Sequence, residues 1–323
     1  MPYRAQHIIR PALAALILTV LAQGAASACD APPPPVRDID ANRYYSDKHN
    51  SIVDPVLKAR NEAAVKPVND YLDGVARAAN AWQRGRKPAD AQCALGWLQA
   101  WAEGGGMLGA MRTNQSWYTR KWTLSGLALS YARVQAQATA GQRQAIEAWL
   151  RQLADLTIAY ADAHKGVRNN HYYWEGLAIT ATGAVTGDAR YLAWGRKVFD
   201  HAMGQVQPDG SLPLEVARAG KALSYHLYAA APLAMMASIL DLQHPKLDSL
   251  VRFSAANVAD PSILQRMTGF EQETPSRMPG WVAIYDRHAT QPLSKEPPPA
   301  NNWDARMGGD RSLVNPLEHV RGS

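Results

Sequence analysis

Residues 171–205 read HYYWEGLAITATGAVTGDARYLAWGRKVFDHAMGQ. Apolar side chains recur at helical spacing in both halves of this stretch, and the TGD of residues 186–188 interrupts the pattern with turn-forming residues. The stretch therefore predicts one helix over 171–185 and a second over 188–205. Because a tight turn joins them, the two helices should pack as an antiparallel hairpin.

The same pattern extends along the chain in both directions. Helical periodicity predicts further helices with short connections over 54–66, 67–84, 88–103, 117–136, 140–164, 215–242 and 245–257. No useful run alternates as a strand would, and beyond about residue 260 the chain becomes Pro-rich and irregular. No repeat of fixed period is present, which disfavours an open repeat array. We expect an all-α fold, an incomplete (α/α) toroid of antiparallel helical hairpins with an irregular Pro-rich C-terminal segment.

The first residues have the pattern of a secretion signal. Arg4 and Arg10 precede an apolar run at 12–22, and the small residues Ala-Ser-Ala at 26–28 form a cleavage site. The run is too short to span a bilayer comfortably. We expect a signal peptide over 1–28, a single mature domain over 29–323, and export to a bacterial periplasm. Cys29 would then be the first mature residue, so a lipid anchor on it is an alternative.

The chain contains two cysteines, Cys29 and Cys93. In an oxidising compartment two cysteines usually pair, which predicts a disulfide between them; two unrelated thiols are the alternative. The cysteines and the nine histidines show no metal-site spacing. We therefore expect no metal and no cofactor.

Charge and aromatic content point towards a class of partner. The formal net charge is +6, of which two positive charges lie in the predicted signal. This mild excess favours an anionic partner, and the absence of a Lys/Arg run argues against nucleic acid. Ten Trp and 13 Tyr stand against three Phe. Rings with polar tips suit a wet groove that binds sugars, although helix packing alone could also have selected them.

A polar cluster reads NNHYYW at 169–174. It lies at the predicted start of a helix, where unpaired backbone N–H groups and the helix dipole favour a bound anion. Asn169 alone is also a common helix cap, and His171 alone could be a core residue. Together, Asn170 and His171 are candidate anion-binding residues.

A second cluster reads RAGKALSYHLY at 218–228. Arg218 and Tyr225 are seven residues apart, which would place them on one face of a helix. A guanidinium can grip a carboxylate through two hydrogen bonds, and a phenol nearby can exchange a proton. His226 should point away from Tyr225 and contribute to packing.

The two clusters together carry a family resemblance. NNHYYW, followed by DGSLPLEVARAGKALSYHLYAAAPLAMMA at 209–237, resembles the alginate lyases of polysaccharide lyase family five, the poly(β-D-mannuronate) lyases. The similarity extends to YYSDK at 44–48, CALGWLQAWA at 93–102, RKWTLSGLALSY at 120–131 and RMGGD at 306–310. It covers nearly all of the mature chain. The resemblance implies an (α/α) toroid, export, and metal-free cleavage of β-1,4-linked uronates by β-elimination.

The resemblance also implies roles for single residues. Asn170, His171 and Arg218 would bind and neutralise the carboxylate on sugar carbon C5, and Tyr225 would lie at the scissile bond. Substrate contacts are expected from Asp47, Lys48, Asn114, Gln115 and Arg306. The aromatic residues that could stack on sugars are Tyr172 and Trp122, with Trp117 and Trp174 as further candidates.

Two questions stay open at this level. Either His171 or Tyr225 could be the base, while Tyr225 is expected to be the acid, with Arg218 favouring its phenolate. The preferred uronate is also open, with mannuronate as the first choice and polyglucuronate or hyaluronan-like chains as alternatives.

A glycoside hydrolase would need two carboxyl groups, for which Glu175, Asp188 and Glu215 are available. A non-catalytic binding protein is the remaining alternative. The partner is expected to be an anionic polysaccharide, with no membrane contact after signal removal and a monomeric state.

Overall fold

The computed structural model describes Met1, residues 29–294 and residues 302–321. The predicted signal peptide therefore lies, apart from Met1, outside the described residues. The described part of the chain forms α1 (Pro55–Gly85), α2 (Pro88–Glu103), α3 (Asn114–Val134), α4 (Ala140–Ala163), α5 (Asn170–Thr186), α6 (Ala189–Gln205), α7 (Pro213–Val216), α8 (Ala222–Ile239), α9 (Pro245–Ala259), α10 (Ser262–Thr268) and α11 (Val282–His288). Within the same ranges, no helix is both long and apolar enough to cross a membrane.

The long helices form two layers. Helices α1, α3, α5 and α8 pack side by side in that order, and α2, α4, α6 and α9 pack against this row. Helix α5 lies at the centre, in contact with α3, α4, α6 and α8, and nearly all of its side chains are buried. A helix that is apolar on all sides requires such a position. The prediction of an all-α toroid built from antiparallel hairpins is confirmed.

The boundary predicted between 66 and 67 is wrong. Helix α1 runs without interruption through Pro67. Proline has no N–H, so the carbonyl of Ala63 loses its helical partner. Both Pro67 and Ala63 are exposed, where water can bind that carbonyl. The helix therefore tolerates a residue that usually ends one.

The helix predicted over 215–242 is broken into pieces. Helix α7 ends at Val216, a 3₁₀ turn covers Ala219–Lys221, and α8 begins at Ala222. Ala219 has a φ of 52°, in the left-handed region that interrupts a right-handed helix. Arg218 therefore lies in a turn and does not share a helix with Tyr225, contrary to the predicted placement on one helix face.

The C-terminal part is more ordered than its composition suggests. The stretch beyond 260 was predicted to be irregular, yet it contains α10 and α11. It also contains a two-residue antiparallel pair, β1 (Trp303–Asp304) with β2 (Gly309–Asp310). Asp310 is hydrogen-bonded to α1, since its backbone N–H donates to the side-chain Oδ1 of Asn80 at 3.1 Å. The segment is thereby tied to the helical core.

The N-terminal leader is fixed along α2. Cys29 and Cys93 form a disulfide, which confirms the predicted pairing, and the Cys29 sulfur used in that bond cannot carry a lipid thioether. The indole N–H groups of Trp97 and Trp101 each donate to a leader carbonyl at 2.8 Å, those of Asp30 and Pro33. The disulfide and these hydrogen bonds direct the chain towards residues 42–53.

His226 joins the start of α8 to the preceding loop. Its Nε2 accepts the backbone N–H of Leu212 at 2.9 Å, so its Nδ1–H donates to the Ala222 carbonyl at 2.7 Å. The ring is fully buried. Burial lowers the pKa of His226 to about 4. The neutral ring has a structural role, as expected for a side chain that points away from Tyr225.

Reduction of the disulfide should destabilise the protein. The bond joins residues 64 apart, and closing a loop of that size stabilises a fold by about 2–4 kcal/mol, chiefly by restricting the unfolded chain. Chemical denaturation with and without a phosphine reductant measures the difference. A Cys93→Ser variant should be as unstable as the reduced protein and insensitive to reductant. Equal stability of oxidised and reduced wild type would contradict the prediction.

Acidification should destabilise the fold through His226. In the unfolded chain His226 binds a proton below the usual histidine pKa of 6.5, whereas in the folded chain it binds one only below about pH 4. The contribution of His226 to the free energy of unfolding is therefore fully present above pH 6.5. It falls by roughly 1.4 kcal/mol per pH unit as the pH drops towards 4. Denaturation curves at pH 7 and 5 test this. His226→Gln should flatten the slope by about one proton, and a variant with the wild-type slope would contradict the prediction.

Candidate active site

A cleft of about 1060 Å³ opens at one end of the helical layers. Its walls come from five places in the chain: the segment 42–50, the start of α3, the start of α5, the turn 214–221 with the first half of α8, and Arg306. These are loops and helix ends, as expected for the open end of a toroid. His171, Arg218 and Tyr225 all line this one cleft.

Arg218 and Tyr225 are in direct contact. The guanidinium carbon of Arg218 lies 4.3 Å from the centre of the Tyr225 ring. The Tyr225 hydroxyl is 3.0 Å from that of Tyr45. Burial raises the pKa of Tyr225, and it outweighs the hydrogen bond to Tyr45 and the charge of Arg218, which both lower that pKa. Arg218 thus favours the phenolate as expected, but burial has the larger effect, and the phenol of the free protein is protonated at neutral pH.

His171 is held by stacking. Its ring lies on Tyr118 with centroids 3.7 Å apart and planes at 15°. Behind it, buried Lys121 donates to the His171 carbonyl at 2.7 Å and pairs with Glu175 at 2.9 Å. Burial, followed by the charges of Lys121 and Arg218, lowers the pKa of His171 well below its usual range. The imidazole is therefore neutral and able to accept a proton.

Asn170 does not reach the cleft wall. It is fully buried, and its amide Nδ2 donates to both oxygens of Glu215 at 3.0 Å. Its backbone N–H donates to the same carboxylate at 2.9 Å. Glu215 also lies 3.8 Å from Arg218. Asn170 was predicted to contact a substrate carboxylate. This geometry does not support that contact, because Glu215 accepts the amide hydrogens of Asn170. Asn170 links the two sequence clusters instead.

The charge of the cleft wall has one sign. Its described lining includes five cationic side chains, namely Arg43, Lys48, Arg218, Lys221 and Arg306. No Asp or Glu is among the residues that line it within the described ranges. A concave surface with such a charge concentrates anions. A polyanionic chain is therefore the class of ligand that this cleft suits.

Several predicted substrate-binding residues do line the cleft: Lys48, Asn114, Gln115, Trp122 and Arg306. The Arg306 guanidinium lies over the Trp122 ring, 4.3 Å from its centre. Ser125 fixes the Arg306 backbone by donating to its carbonyl at 2.8 Å. Gly126 allows this approach, because a side chain there would collide with the Ala305 carbonyl. The C-terminal arginine therefore reaches the cleft through close packing on α3.

Other predicted contacts lie elsewhere. The Asp47 carboxylate caps its own loop by accepting from Ser51 and from the N–H groups of His49 and Ile52. Partial burial opposes ionisation, yet these hydrogen bonds hold the pKa of Asp47 well below its usual range. Tyr172 is buried, and its hydroxyl accepts from Arg168 at 3.1 Å. Neither residue lines the cleft, so their predicted direct contact with substrate is not supported by this geometry.

Two further aromatic candidates also lie outside the cleft lining. Trp117 stacks on Tyr160 with centroids 4.3 Å apart, and the Arg120 guanidinium lies 4.0 Å from its ring centre. Trp174 is buried and donates to the Tyr228 carbonyl at 3.2 Å. Of the four rings considered from the sequence, Trp122 is the one that the structure brings to the cleft.

Sequence reasoning did not assign roles to several cleft residues. Tyr45 reaches Tyr225 from 180 positions away. His49 ties the same segment to the Arg218 turn, since its ring Nδ1 is 3.1 Å from the Ala217 carbonyl and its own carbonyl accepts from Arg218 at 3.4 Å. Tyr118 supplies the surface on which His171 stacks. YYSDK carried a signal for Tyr45 through the resemblance, but nothing local indicated its partner.

The described residues contain no group of three or more His, Cys, Asp or Glu side chains placed to hold a metal ion. The titratable groups that converge in the cleft are instead phenols, two imidazoles, ammonium and guanidinium groups. Proton exchange and anion binding are the chemistry that such a set of groups can provide.

Comparison with known proteins places this arrangement in a family. The family model described as alginate lyase matches residues 38–264. A polysaccharide lyase of Stenotrophomonas maltophilia (strain K279a) is 42% identical over 94% of this chain and 96% of its own. An alginate lyase of Pseudomonas syringae pv. syringae (strain B728a) is 28% identical over 91% of this chain and 84% of its own.

Solved structures share the fold. Alginate lyase A1-III from Sphingomonas species A1 superposes with a TM-score of 0.74 at 24% identity, over 90% of this chain and 86% of that one. A Tyr→Phe variant of alginate lyase A1-III, complexed with a tetrasaccharide, gives a TM-score of 0.78 at 24% identity, over 91% and 87% of the two chains. From the extent of the family match and the identity to the Stenotrophomonas relative, we conclude that the chain belongs to the alginate lyase family.

Proposed function

We propose that this protein is an exported, monomeric lyase that depolymerises mannuronate-rich alginate by β-elimination at the β-1,4 bond, leaving 4,5-unsaturated uronate ends. The observation that carries the proposal is the cleft. It brings His171, Arg218 and Tyr225 together in a described wall with five cations and no carboxylate. The disulfide supports export to an oxidising compartment such as the periplasm.

Acidity is the chemical obstacle. The hydrogen on C5 of a uronate is a poor acid while the adjacent carboxylate is ionised, since its removal creates a dianionic enolate. Fixed donors and cations that offset this charge supply the largest part of such catalysis. Arg218 is nine-tenths buried and held by Glu215 and the His49 carbonyl. It can bind the carboxylate without reorganising.

Proton transfer completes the reaction. The C5–H bond breaks, its electron pair forms the C4–C5 double bond, and the C4–O4 bond breaks with a proton delivered to O4. Tyr225, protonated because of burial, is the donor to O4. Neutral His171 either accepts the C5 proton directly or accepts the phenolic proton so that the Tyr225 phenolate can take it. Both routes consume no water.

A glycoside hydrolase is disfavoured by the same geometry. The three carboxyl groups considered from the sequence are engaged away from the described cleft lining. Glu215 accepts from Asn170, Glu175 pairs with Lys121, and Asp188 caps α6 and pairs with Arg190. Hydrolysis requires two carboxyl groups flanking the glycosidic bond.

Tyr225→Phe should abolish turnover and preserve binding. Loss of a positioned proton donor reduces kcat by about 10²–10⁴-fold. Ultraviolet absorbance of the unsaturated product, measured with polymannuronate, polyguluronate and polyglucuronate, reports the rate and the preferred sugar. Tyr173→Phe removes a phenol bonded to Gln205 outside the cleft and should keep wild-type activity. A Tyr225→Phe variant with more than about a tenth of the wild-type rate would refute the assigned acid.

The pH–rate profile should report the state of His171. Because the pKa of His171 is held well below 6.5, kcat/KM should stay level from pH 7.5 down through pH 6.5 and decline only at lower pH. Rates over this range at constant ionic strength test the prediction, with folding checked at each pH by circular dichroism. An acid limb centred above pH 6.5 in folded protein would contradict it.

A further inference from the structure

One of the cations that line the cleft forms an ion pair with a carboxylate of the protein itself. Lys221 lines the cleft three residues after Arg218. Its Nζ lies 2.9 and 2.7 Å from the two oxygens of Glu273. The Lys221 side chain is 17% exposed and that of Glu273 is 64% exposed. The pair therefore joins a sheltered cation of the cleft to a carboxylate that water can reach.

The backbone around Glu273 is fixed on the Arg218 turn. The Glu273 N–H donates to the Gly220 carbonyl at 3.1 Å. Buried Gln272 donates to the Ala219 carbonyl at 3.0 Å and accepts the N–H of Leu223 at 3.1 Å. These contacts hold the backbone of residue 273 beside Lys221, whereas the Glu273 carboxylate itself is exposed to water. The placement is therefore built into the fold, whereas the ion pair itself can be exchanged.

Three of the other four cations of the cleft have different partners. Glu215, next to Arg218, is fully buried and bonded to Asn170, so a ligand cannot displace it. Arg306 lies on the Trp122 ring, and Arg43 donates to the Asp47 carbonyl at 2.7 Å. Among the cations that line the described cleft, Lys221 alone has an ion pair with an exposed carboxylate.

We propose that Glu273 occupies, in the free enzyme, the position on Lys221 that the carboxylate of a bound uronate takes. This inference rests on the proposed function. The Glu273 carboxylate has the same two oxygens and charge as a sugar carboxylate, so the two compete for one ammonium group. A neutral sugar cannot replace it, whereas a uronate can. Glu273 thus weakens binding of every chain and favours those that carry a second carboxylate near the cleaved unit.

Glu273→Gln is the direct test. The variant should lower the KM for polymannuronate by about three- to tenfold, the range expected for one partly sheltered ionic contact, and leave kcat within about twofold. Its KM should also rise more steeply with salt, because one more cation binds the chain. Glu271→Gln is the matched control. Glu271 is exposed, lies two residues away and makes no ion pair within the described residues.

A second pair of variants isolates Lys221. In a Lys221→Gln background, Glu273→Gln should no longer change KM, because the shared ammonium group is absent. If Glu271→Gln and Glu273→Gln lowered KM equally, the cause would be the change in net charge of the protein and not the ion pair with Lys221. That result would overturn the inference. An unchanged or higher KM for Glu273→Gln in an active enzyme would also overturn it.

The inference and the proposed function can fail separately. If wild type forms no unsaturated product from any polyuronate, the proposed function fails. The competition is then measured by calorimetric titration with polymannuronate, where Glu273→Gln should bind about three- to tenfold more tightly than wild type. Unchanged affinity in that titration would overturn the inference as well.

Discussion

The buried carboxylate of Glu215 is the interaction on which the cleft depends. It accepts three hydrogen bonds from Asn170, the first residue of α5, and lies 3.8 Å from Arg218. A carboxylate with no exposed surface is costly unless its oxygens are bonded, and here an amide, a backbone N–H and a guanidinium share it. The Glu215 side chain thereby fixes the position of the His171 imidazole relative to the Arg218 guanidinium.

Local signals were sufficient for most helix boundaries. The starts of α4, α5 and α6 agree with the sequence to within one residue, because each has a side chain that caps it. Thr139 forms a capping box with Gln142, and Asn169 and Asp188 accept N–H groups from the residues that follow them. These contacts depend on residues two or three positions apart, which a single sequence contains in full.

The rest depended on contacts between distant parts of the chain. The Arg218–Tyr225 pair was placed correctly in one site for a partly wrong reason, since a left-handed Ala219 breaks the assumed helix and the side chains still meet. Asn170 was assigned to the substrate through the family resemblance, whereas its hydrogen bond to Glu215, 45 positions later, could not be seen in the local pattern. Tyr45 is likewise defined by a phenol 180 residues away. Family motifs predicted the chemistry, but the partners of each group required coordinates.

The leader that runs from the disulfide along α2 has a consequence for binding energetics. The segment 42–53 is held upstream by Cys29 and the two tryptophan contacts and downstream by α1, whose cap Asp54 bonds back to Tyr44 through its N–H at 2.9 Å. A loop with both ends fixed has fewer conformations to lose when a ligand orders it. Part of the entropic penalty of enclosing a sugar chain has therefore already been met during folding.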